Sequence, residues 1–227
     1  MKNLLIYIGP EPKFGFEHEE LTKIQIDNSL ELGWKPEDII LMTNFPWKYR
    51  KVTALVVDGC YYADNGFNRS SKILAILKLF SLGLVKETIW FHDHDAFQLE
   101  VFGEPDLMGT DIGVTDHGWS SKWNAGSFFF TPNSEYIFQH ILEKMDEDGI
   151  DEQDAFTQLL LDLVIDNYFP LNITYNLGIY QIESNLEKAN KPLLVAHFHP
   201  HKPRHLNLFR NLIPKRLMDI FNKYGLK

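Results

Sequence analysis

The sequence contains a single cysteine, Cys60, among 227 residues. One cysteine excludes a disulfide bond within the chain, and this fits a reducing compartment because disulfides persist mainly in oxidising ones. Basic residues are also scarce. Lysine and arginine number 22 against 31 aspartates and glutamates, so the formal net charge is −9. The basic footprint of a nucleic-acid-binding protein is therefore missing, and we expect no nucleic-acid partner.

Long apolar runs are absent as well. No stretch reaches the ~18 apolar residues that a membrane-spanning helix needs, so we expect no transmembrane segment. The apolar run at residues 4–8 is ended by Gly9 and Pro10, too soon for the core of a secretory signal. The sequence therefore predicts a cytoplasmic protein whose first buried strand is residues 4–8.

Apolar runs alternate with segments of helical periodicity, and neither repeats nor linkers interrupt them. Apolar residues at i, i+3, i+4 and i+7 predict helices near 73–80, 156–163 and 213–221. This alternation favours one α/β domain with a mostly parallel sheet and helices on both faces. The predicted strands are residues 4–8, 39–42, 54–57, 88–91, 111–114 and 127–130, with two more at 173–180 and 193–198.

Two carboxylates follow one of these strands directly, in the sequence Asp93-His94-Asp95. In open α/β sheets, ligands bind at the carboxyl ends of the strands. Carboxylate oxygens suit Mg²⁺ or Mn²⁺, which are often held by one or two carboxylates and the phosphates of a substrate. In an extended segment His94 would point away from both aspartates. Taken alone, the tripeptide also fits a pair of solvated loop carboxylates.

Five further segments carry motifs that matter together because of their order along the chain. They are a lysine-bearing helix at 70–74, Asn-Ala-Gly at 124–126, Asp-Glu-Gln-Asp at 151–154, Tyr-Asn at 175–176 and His-Phe-His-Pro-His-Lys-Pro at 197–203. Together with Asp93-His94-Asp95 they resemble nucleotide-sugar glycosyltransferases of the GT-A fold, nearest the glycogenin and galactosyltransferase-like branch. The resemblance extends over roughly residues 4–203. Pro200 stands near the family's usual glycine, and Arg204 replaces the tryptophan that often follows the last Lys-Pro.

The resemblance implies a Rossmann-like GT-A domain over residues 1–227, with a nucleotide-binding half at 1–115 and an acceptor-side half at 116–227 that ends in a helix. It implies transfer of a sugar from a nucleotide sugar, a UDP-sugar above all, to a glycan or glycoside acceptor. The cation would be Mn²⁺ or Mg²⁺. Its ligands would be Asp93, Asp95 and His197.

The same resemblance implies roles for residues that would bind the donor. Tyr7 and Ile8 would lie near the base, Asp93 would also reach the ribose, and Lys202 would contact the diphosphate. Lys72, with Arg69 just before it, begins a helix, and a helix start with cations suits an anionic ligand. The donor sugar would contact Asn124, Ala125 and Gly126, where glycine permits close approach. Each of these also has a structural interpretation, as a core aromatic, a tight turn or a solvated charge.

Three acids complete the set of candidates. Asp151 and Asp154, with Glu152 between them, lie at a helix start, where acids cap the helix and complement its dipole. Asp154 is the predicted catalytic carboxylate or sugar-hydroxyl acceptor, with Asp116 as a second candidate base if the reaction inverts the anomeric carbon. A metal-dependent phosphoester hydrolase and a non-catalytic module that binds nucleotide sugars or carbohydrates remain alternative functions.

Overall fold

A computed structural model describes residues 1–59, 71–117 and 122–226. The strands are β1 (Lys2–Tyr7), β2 (Ile39–Thr43), β3 (Lys48–Tyr49), β4 (Val52–Thr53), β5 (Leu55–Val56), β6 (Ile89–His92), β7 (Ala96–Gln98), β8 (Ile112–Asp116), β9 (Trp123–Phe130), β10 (Tyr168–Leu171) and β11 (Val195–His197). The helices are α1 (Phe16–Glu31), α2 (Ser71–Ser81), α3 (Glu135–Asp148), α4 (Glu152–Leu161), α5 (Ile182–Lys188), α6 (Pro203–Phe209) and α7 (Lys215–Lys223).

A seven-stranded sheet in the order β10-β8-β9-β6-β1-β2-β5 forms the centre of the molecule. Its strands pair in parallel, except that β9 is antiparallel to both β6 and β8. The predicted α/β class with a mostly parallel sheet is therefore confirmed. Two short antiparallel pairs lie outside this sheet, β3 with β4 and β7 with β11.

Helices cover both faces of the sheet. Successive side chains of a buried strand point to opposite faces, so each strand contributes to the packing on both. Phe128 and Phe130 of β9 belong to the core that also contains the buried residues of α2, α3 and α4. Phe129, between them, packs on the other face with Trp90 of β6. The helices α1, α6 and α7 share a further apolar cluster with β7 and β11.

The carboxylate of Asp27 joins three elements. It accepts hydrogen bonds from Lys223 Nζ at 2.6 Å and from the Tyr224 hydroxyl at 3.0 Å, which hold the end of α7 against α1. The Tyr49 hydroxyl donates to the same carboxylate at 3.1 Å, so β3 is attached as well. Burial opposes ionisation of Asp27, but the donors outweigh it and lower its pKa.

The predicted strand at 173–180 is wrong. Residues Ile173–Tyr175 form a short 3₁₀ helix because the Asn172 side chain accepts the Thr174 N–H at 3.0 Å and caps its start. The edge strand of the sheet is β10, just before it. The helix predicted to reach Leu163 ends at Leu161, and Leu163 adopts a positive φ of 56° in the turn that follows.

Helix α1 has no apolar periodicity because its buried face is largely polar. Gln25 Nε2 donates to the carbonyl oxygens of His94 and Ala96, each at 2.9 Å. Asn28 Nδ2 donates to the Gln98 carbonyl oxygen at 2.9 Å. These amides donate hydrogen bonds to backbone carbonyl oxygens of β7 on the side that β11 does not cover. They therefore hold in place the strand that follows Asp93-His94-Asp95. None of the described helices is long and apolar enough to cross a membrane.

Candidate functional site

A cleft of about 690 Å³ opens where β1 and β6 end. It collects ten of the residues that the sequence proposed for metal and donor binding. They are Tyr7, Ile8, Lys72, Asp93, Asp95, Asn124, Ala125, Gly126, His197 and Lys202. Arg69 lies outside the described residues.

The turn that carries Asp93 and Asp95 is held by a backbone hydrogen bond within itself and by backbone hydrogen bonds to two other segments. The Asp93 N–H donates to the Gly126 carbonyl oxygen of β9 at 2.8 Å, and the Ala96 N–H closes the turn on the Asp93 carbonyl at 3.0 Å. The Phe198 N–H donates to the Asp95 carbonyl at 2.9 Å. The chain therefore leaves the sheet at β6 and presents both carboxylates from a turn held by these backbone hydrogen bonds.

His197 meets these carboxylates through the pairing of β11 with β7, in which His197 lies opposite Ala96. One ligand atom from each of Asp93, Asp95 and His197 lies within 4.8 Å of the others. The two carboxylate oxygens suit Mn²⁺ or Mg²⁺, and the imidazole nitrogen favours Mn²⁺ of the two. Among the residues that the structure describes, no other group of three such side chains is this close.

The charges at this centre are coupled. Burial disfavours ionisation of Asp95, but the imidazole of His197, with Nε2 at 3.2 Å from Oδ1, lowers the pKa of Asp95. Burial works against protonation of His197, and Asp95 outweighs it and raises the pKa of His197. Burial raises the pKa of Asp93, and Lys72 only partly opposes this. The Asp93 side chain is 36% exposed toward the cleft, and a divalent cation there would add positive charge beside its carboxylate.

Lys72 lies on the side of the cleft next to Asp93. Its Nζ is 2.8 Å from Glu152 Oε1 and 3.7 Å from Asp93 Oδ1. It also donates to the Ala125 carbonyl oxygen at 3.2 Å. The side chain of Glu152 is only 4% exposed, so the ion pair is shielded from water.

Glu152 and Gln153 belong to the Asp-Glu-Gln-Asp motif but were not among the site residues predicted from the sequence. Both line the cleft, and Gln153 Oε1 accepts the Ala125 N–H at 3.3 Å. Their position in the sequence, immediately after the capping residue Asp151, could have identified them. When the start of a helix faces a cleft, the side chains of its first turn face that cleft as well. The Asp151 carboxylate accepts the Asp154 N–H at 2.8 Å, so the predicted capping role of Asp151 is confirmed.

The two predicted catalytic acids lie elsewhere. Asp154 forms an ion pair with Lys122, and its side chain is 44% exposed. Asp116 is the exposed last residue of β8. Neither belongs to the described lining of the cleft, and the catalytic roles of both stay predictions.

Three residues near the start of α6 also line the cleft. Lys202 precedes α6, and His199 and His205 line the cleft beside it. His201 does not line the cleft, and its Nε2 is 3.5 Å from Glu20. The Tyr7 ring packs at 4.7 Å from that of Phe14, so Tyr7 belongs to both the core and the cleft.

Similarity to proteins of known structure was found at the level of the fold. No protein-family model matches the sequence, and no curated protein is significantly similar to it. The glycosyltransferase GlyE of Streptococcus pneumoniae TIGR4 superposes with a TM-score of 0.63 at 12% identity over 100% of this chain, which spans only 65% of GlyE. LgtC superposes with a TM-score of 0.59 at 11% identity, over 97% of this chain and 100% of LgtC.

Mouse xyloside xylosyltransferase 1 superposes with a TM-score of 0.51 at 11% identity, over 86% of this chain and 96% of the mouse chain. These proteins share the GT-A fold, and the resemblance to GT-A glycosyltransferases that the sequence motifs indicated is confirmed as a likeness of fold.

Proposed function

We propose that this protein is a metal-dependent glycosyltransferase that moves a sugar from a nucleotide sugar, most readily a UDP-sugar, to a glycan or glycoside acceptor. The observation that carries the proposal is the convergence of Asp93, Asp95 and His197 at the base of a cleft at the carboxyl ends of parallel strands. The similar structures support it: LgtC is described as a galactosyltransferase crystallised with donor and acceptor sugar analogues.

In the proposed reaction the bond between the anomeric carbon and the diphosphate oxygen breaks. A new bond forms between that carbon and an acceptor hydroxyl oxygen, and the hydroxyl proton leaves to a base or to the departing diphosphate. A Mn²⁺ or Mg²⁺ ion held by Asp93, Asp95 and His197 would stabilise the negative charge that develops on the diphosphate. Lys202, which also lines the cleft, is the cationic side chain proposed to contact the same phosphates.

The donor sugar is proposed to lie beside Lys72 and the Asn-Ala-Gly segment of β9. Ala125 has both of its backbone polar groups engaged, its carbonyl with Lys72 and its N–H with Gln153. The Asn-Ala-Gly segment therefore ties α2 and α4 to the sheet in addition to lining the cleft. This position favours Glu152 and Gln153 over Asp154 as the α4 side chains that hydrogen-bond the sugar hydroxyls.

The experiment that tests the function is an assay of a panel of nucleotide sugars with Mn²⁺, in the presence and absence of simple glycosides. We expect release of nucleoside diphosphate and a glycoside product that is heavier by one sugar, as measured by mass spectrometry. Release of a nucleoside monophosphate and a sugar phosphate would instead indicate the phosphoester hydrolase. Binding of the nucleotide sugar without turnover of any donor would indicate a binding module.

A further inference from the structure

The imidazole of His197 lies directly over Gly126. A β-carbon built on Gly126 would be 2.1 Å from His197 Cε1 and 2.7 Å from Nδ1. Such a carbon would require the ring to move, because real β-carbons essentially never come within 3.0 Å of another heavy atom. Gly126 is not among the glycines with a positive φ. Its backbone conformation therefore does not require glycine, whereas the space taken by the His197 ring does.

Gly126 is tied to the turn that bears the carboxylates. Its carbonyl oxygen accepts the Asp93 N–H at 2.8 Å, and its own N–H donates to Asn124 Oδ1 at 2.8 Å. The surface on which the imidazole rests and the start of the Asp93-His94-Asp95 turn therefore belong to one hydrogen-bonded framework. A shift of the ring away from Gly126 would be a shift relative to Asp93 and Asp95.

A second residue holds the ring through its Nδ1 atom. Asn176 is 1% exposed, and its Oδ1 lies 3.1 Å from His197 Nδ1, from which it accepts a hydrogen bond. With Nδ1 engaged in this way, the other nitrogen, Nε2, points to Asp95 Oδ1 at 3.2 Å. Partners of this kind commonly orient the histidines that bind metals.

We propose that Gly126 and Asn176 are positioning residues for a metal-ligating His197. Gly126 provides the space in which the imidazole lies, and Asn176 takes the Nδ1 proton so that Nε2 is the nitrogen offered to the cation. The inference rests on the proposed metal site. It changes the role of Gly126 from contact with the donor sugar to support of a metal ligand.

The steric half of the proposal is tested by the Mn²⁺ dissociation constant, measured by calorimetry for Gly126→Ala, His197→Ala and the double variant. We expect Gly126→Ala to weaken Mn²⁺ binding tenfold or more, in the range seen for residues that support metal ligands. We expect no further loss when it is added to His197→Ala, because the ring it displaces is already gone. Wild-type affinity in Gly126→Ala, or a full additional loss in the double variant, would overturn the proposal.

Gly113→Ala is the matched control. Gly113 is also a strand glycine, and a β-carbon there would lie 2.5 Å from Leu107 Cδ2. Its neighbours are leucine side chains outside the cleft, so this variant should lose thermal stability and keep its Mn²⁺ affinity. A comparable loss of affinity in Gly113→Ala would show that general destabilisation explains the effect, and would overturn the proposal.

The hydrogen-bonding half is tested by Asn176→Leu and Asn176→Asp. Leucine removes the acceptor at similar size, so Mn²⁺ binding should weaken tenfold or more. Aspartate keeps an oxygen for the Nδ1 proton, so affinity should stay within a few-fold of wild type. Equal losses in the two variants would contradict the assigned role of Asn176.

One measurement needs no metal and separates this proposal from the proposed function. In the metal-free protein, a nuclear Overhauser effect should connect the His197 Hε1 proton with the Gly126 Hα protons, and Gly126→Ala should shift the His197 ring resonances. Absence of the Overhauser effect would refute the positioning role. If the effect is present but the wild-type protein binds no Mn²⁺, the positioning geometry stands and the metal-dependent function fails.

Discussion

Lys72 of α2 and Glu152, the first residue of α4, form an ion pair across one side of the cleft, with 2.8 Å between Nζ and Oε1. The two side chains are 12% and 4% exposed. Because Lys72 Nζ is also 3.7 Å from Asp93, the pair connects two helices to the proposed metal centre. The ion pair with Lys72 therefore fixes the orientation of the Glu152 carboxylate before a ligand binds in the cleft.

The first prediction concerns the acids of α4. Glu152→Gln keeps the size of the side chain and removes its charge, so it should disturb both Lys72 and the donor sugar. We expect kcat/KM for the donor to fall tenfold or more, which corresponds to about 1.4 kcal/mol of lost transition-state stabilisation. Steady-state kinetics and a thermal melt of each variant provide the measurement.

Asp154→Asn and Asp151→Asn are the comparison variants. Asp151 caps α4, so its substitution should cost a fraction of a kcal/mol of stability, about 0.3–1, with little change in turnover. The position of Asp154 beside Lys122 and outside the described cleft lining favours the same outcome for Asp154→Asn. A tenfold or larger fall in kcat/KM for Asp154→Asn alone, with Glu152→Gln active, would support the predicted catalytic role of Asp154.

The second prediction concerns the cation. EDTA should abolish transfer, and Mn²⁺ or Mg²⁺ should restore it, because the diphosphate leaves with a charge that Lys202 alone does not offset. Asp95→Asn should lose most activity and bind Mn²⁺ at least tenfold more weakly, while circular dichroism shows a folded protein. Full turnover of the nucleotide sugar in the presence of chelator would refute the metal site.

The third prediction separates the histidines of residues 197–205. His197→Ala should sharply raise the Mn²⁺ concentration needed for half-maximal activity, since only His197 lies with Asp93 and Asp95. His201→Ala should have little effect, because His201 is outside the cleft lining and lies near Glu20. His199→Ala and His205→Ala should also alter the Mn²⁺ requirement less than His197→Ala. Similar shifts in all four titrations would mean that no single histidine of this segment binds the metal.

The fourth prediction concerns acid stability. The donors around Asp27 lower its pKa in the folded protein, so Asp27 contributes stability at pH values above its unfolded pKa of about 3.9. This contribution is lost as the pH falls through the folded pKa. In Asp27→Asn the free energy of unfolding at pH 7 should decrease by about 1–2 kcal/mol, since a buried acceptor of charged donors is lost. Below pH 4 the free energy of unfolding of Asp27→Asn should fall less steeply with pH than that of wild type. Urea unfolding at several pH values measures both.

Asp148→Asn on α3 serves as the control for this series, since Asp148 pairs with Lys144 of the same helix and both side chains are partly exposed to solvent. Its unfolding free energy should remain within about 0.5 kcal/mol of wild type at pH 7. Parallel pH curves for wild type and Asp27→Asn would show that Asp27 has no special role in acid stability.

Much of the site could be predicted from local patterns. An apolar run that ends in two carboxylates predicts β6 and the Asp93-His94-Asp95 turn, because a strand buried on both faces must be apolar and its end must become polar. The order of the later motifs indicated His197, and the structure brings it to Asp93 and Asp95. The strands β1, β2, β8 and β9 were likewise visible as apolar runs.

Other features depended on partners distant in sequence. Helix α1 buries Gln25 and Asn28 against the backbone of β7, so no apolar period marks it. The strand β10 and the 3₁₀ helix after it contain similarly apolar residues, and the Asn172 cap determines which segment leaves the extended conformation.

The amino-acid sequence alone was enough to identify the α/β class, the strand ends that carry chemistry and the capping role of Asp151, because these follow from periodicity and from adjacent residues. The tertiary structure was needed to learn which acid of α4 faces the cleft, and that Gly126 makes room for His197. Rotation about a helix axis and the approach of an imidazole to a strand depend on packing between elements about 70 residues apart in the chain. A pattern of neighbouring residues in the sequence does not predict how such distant elements pack.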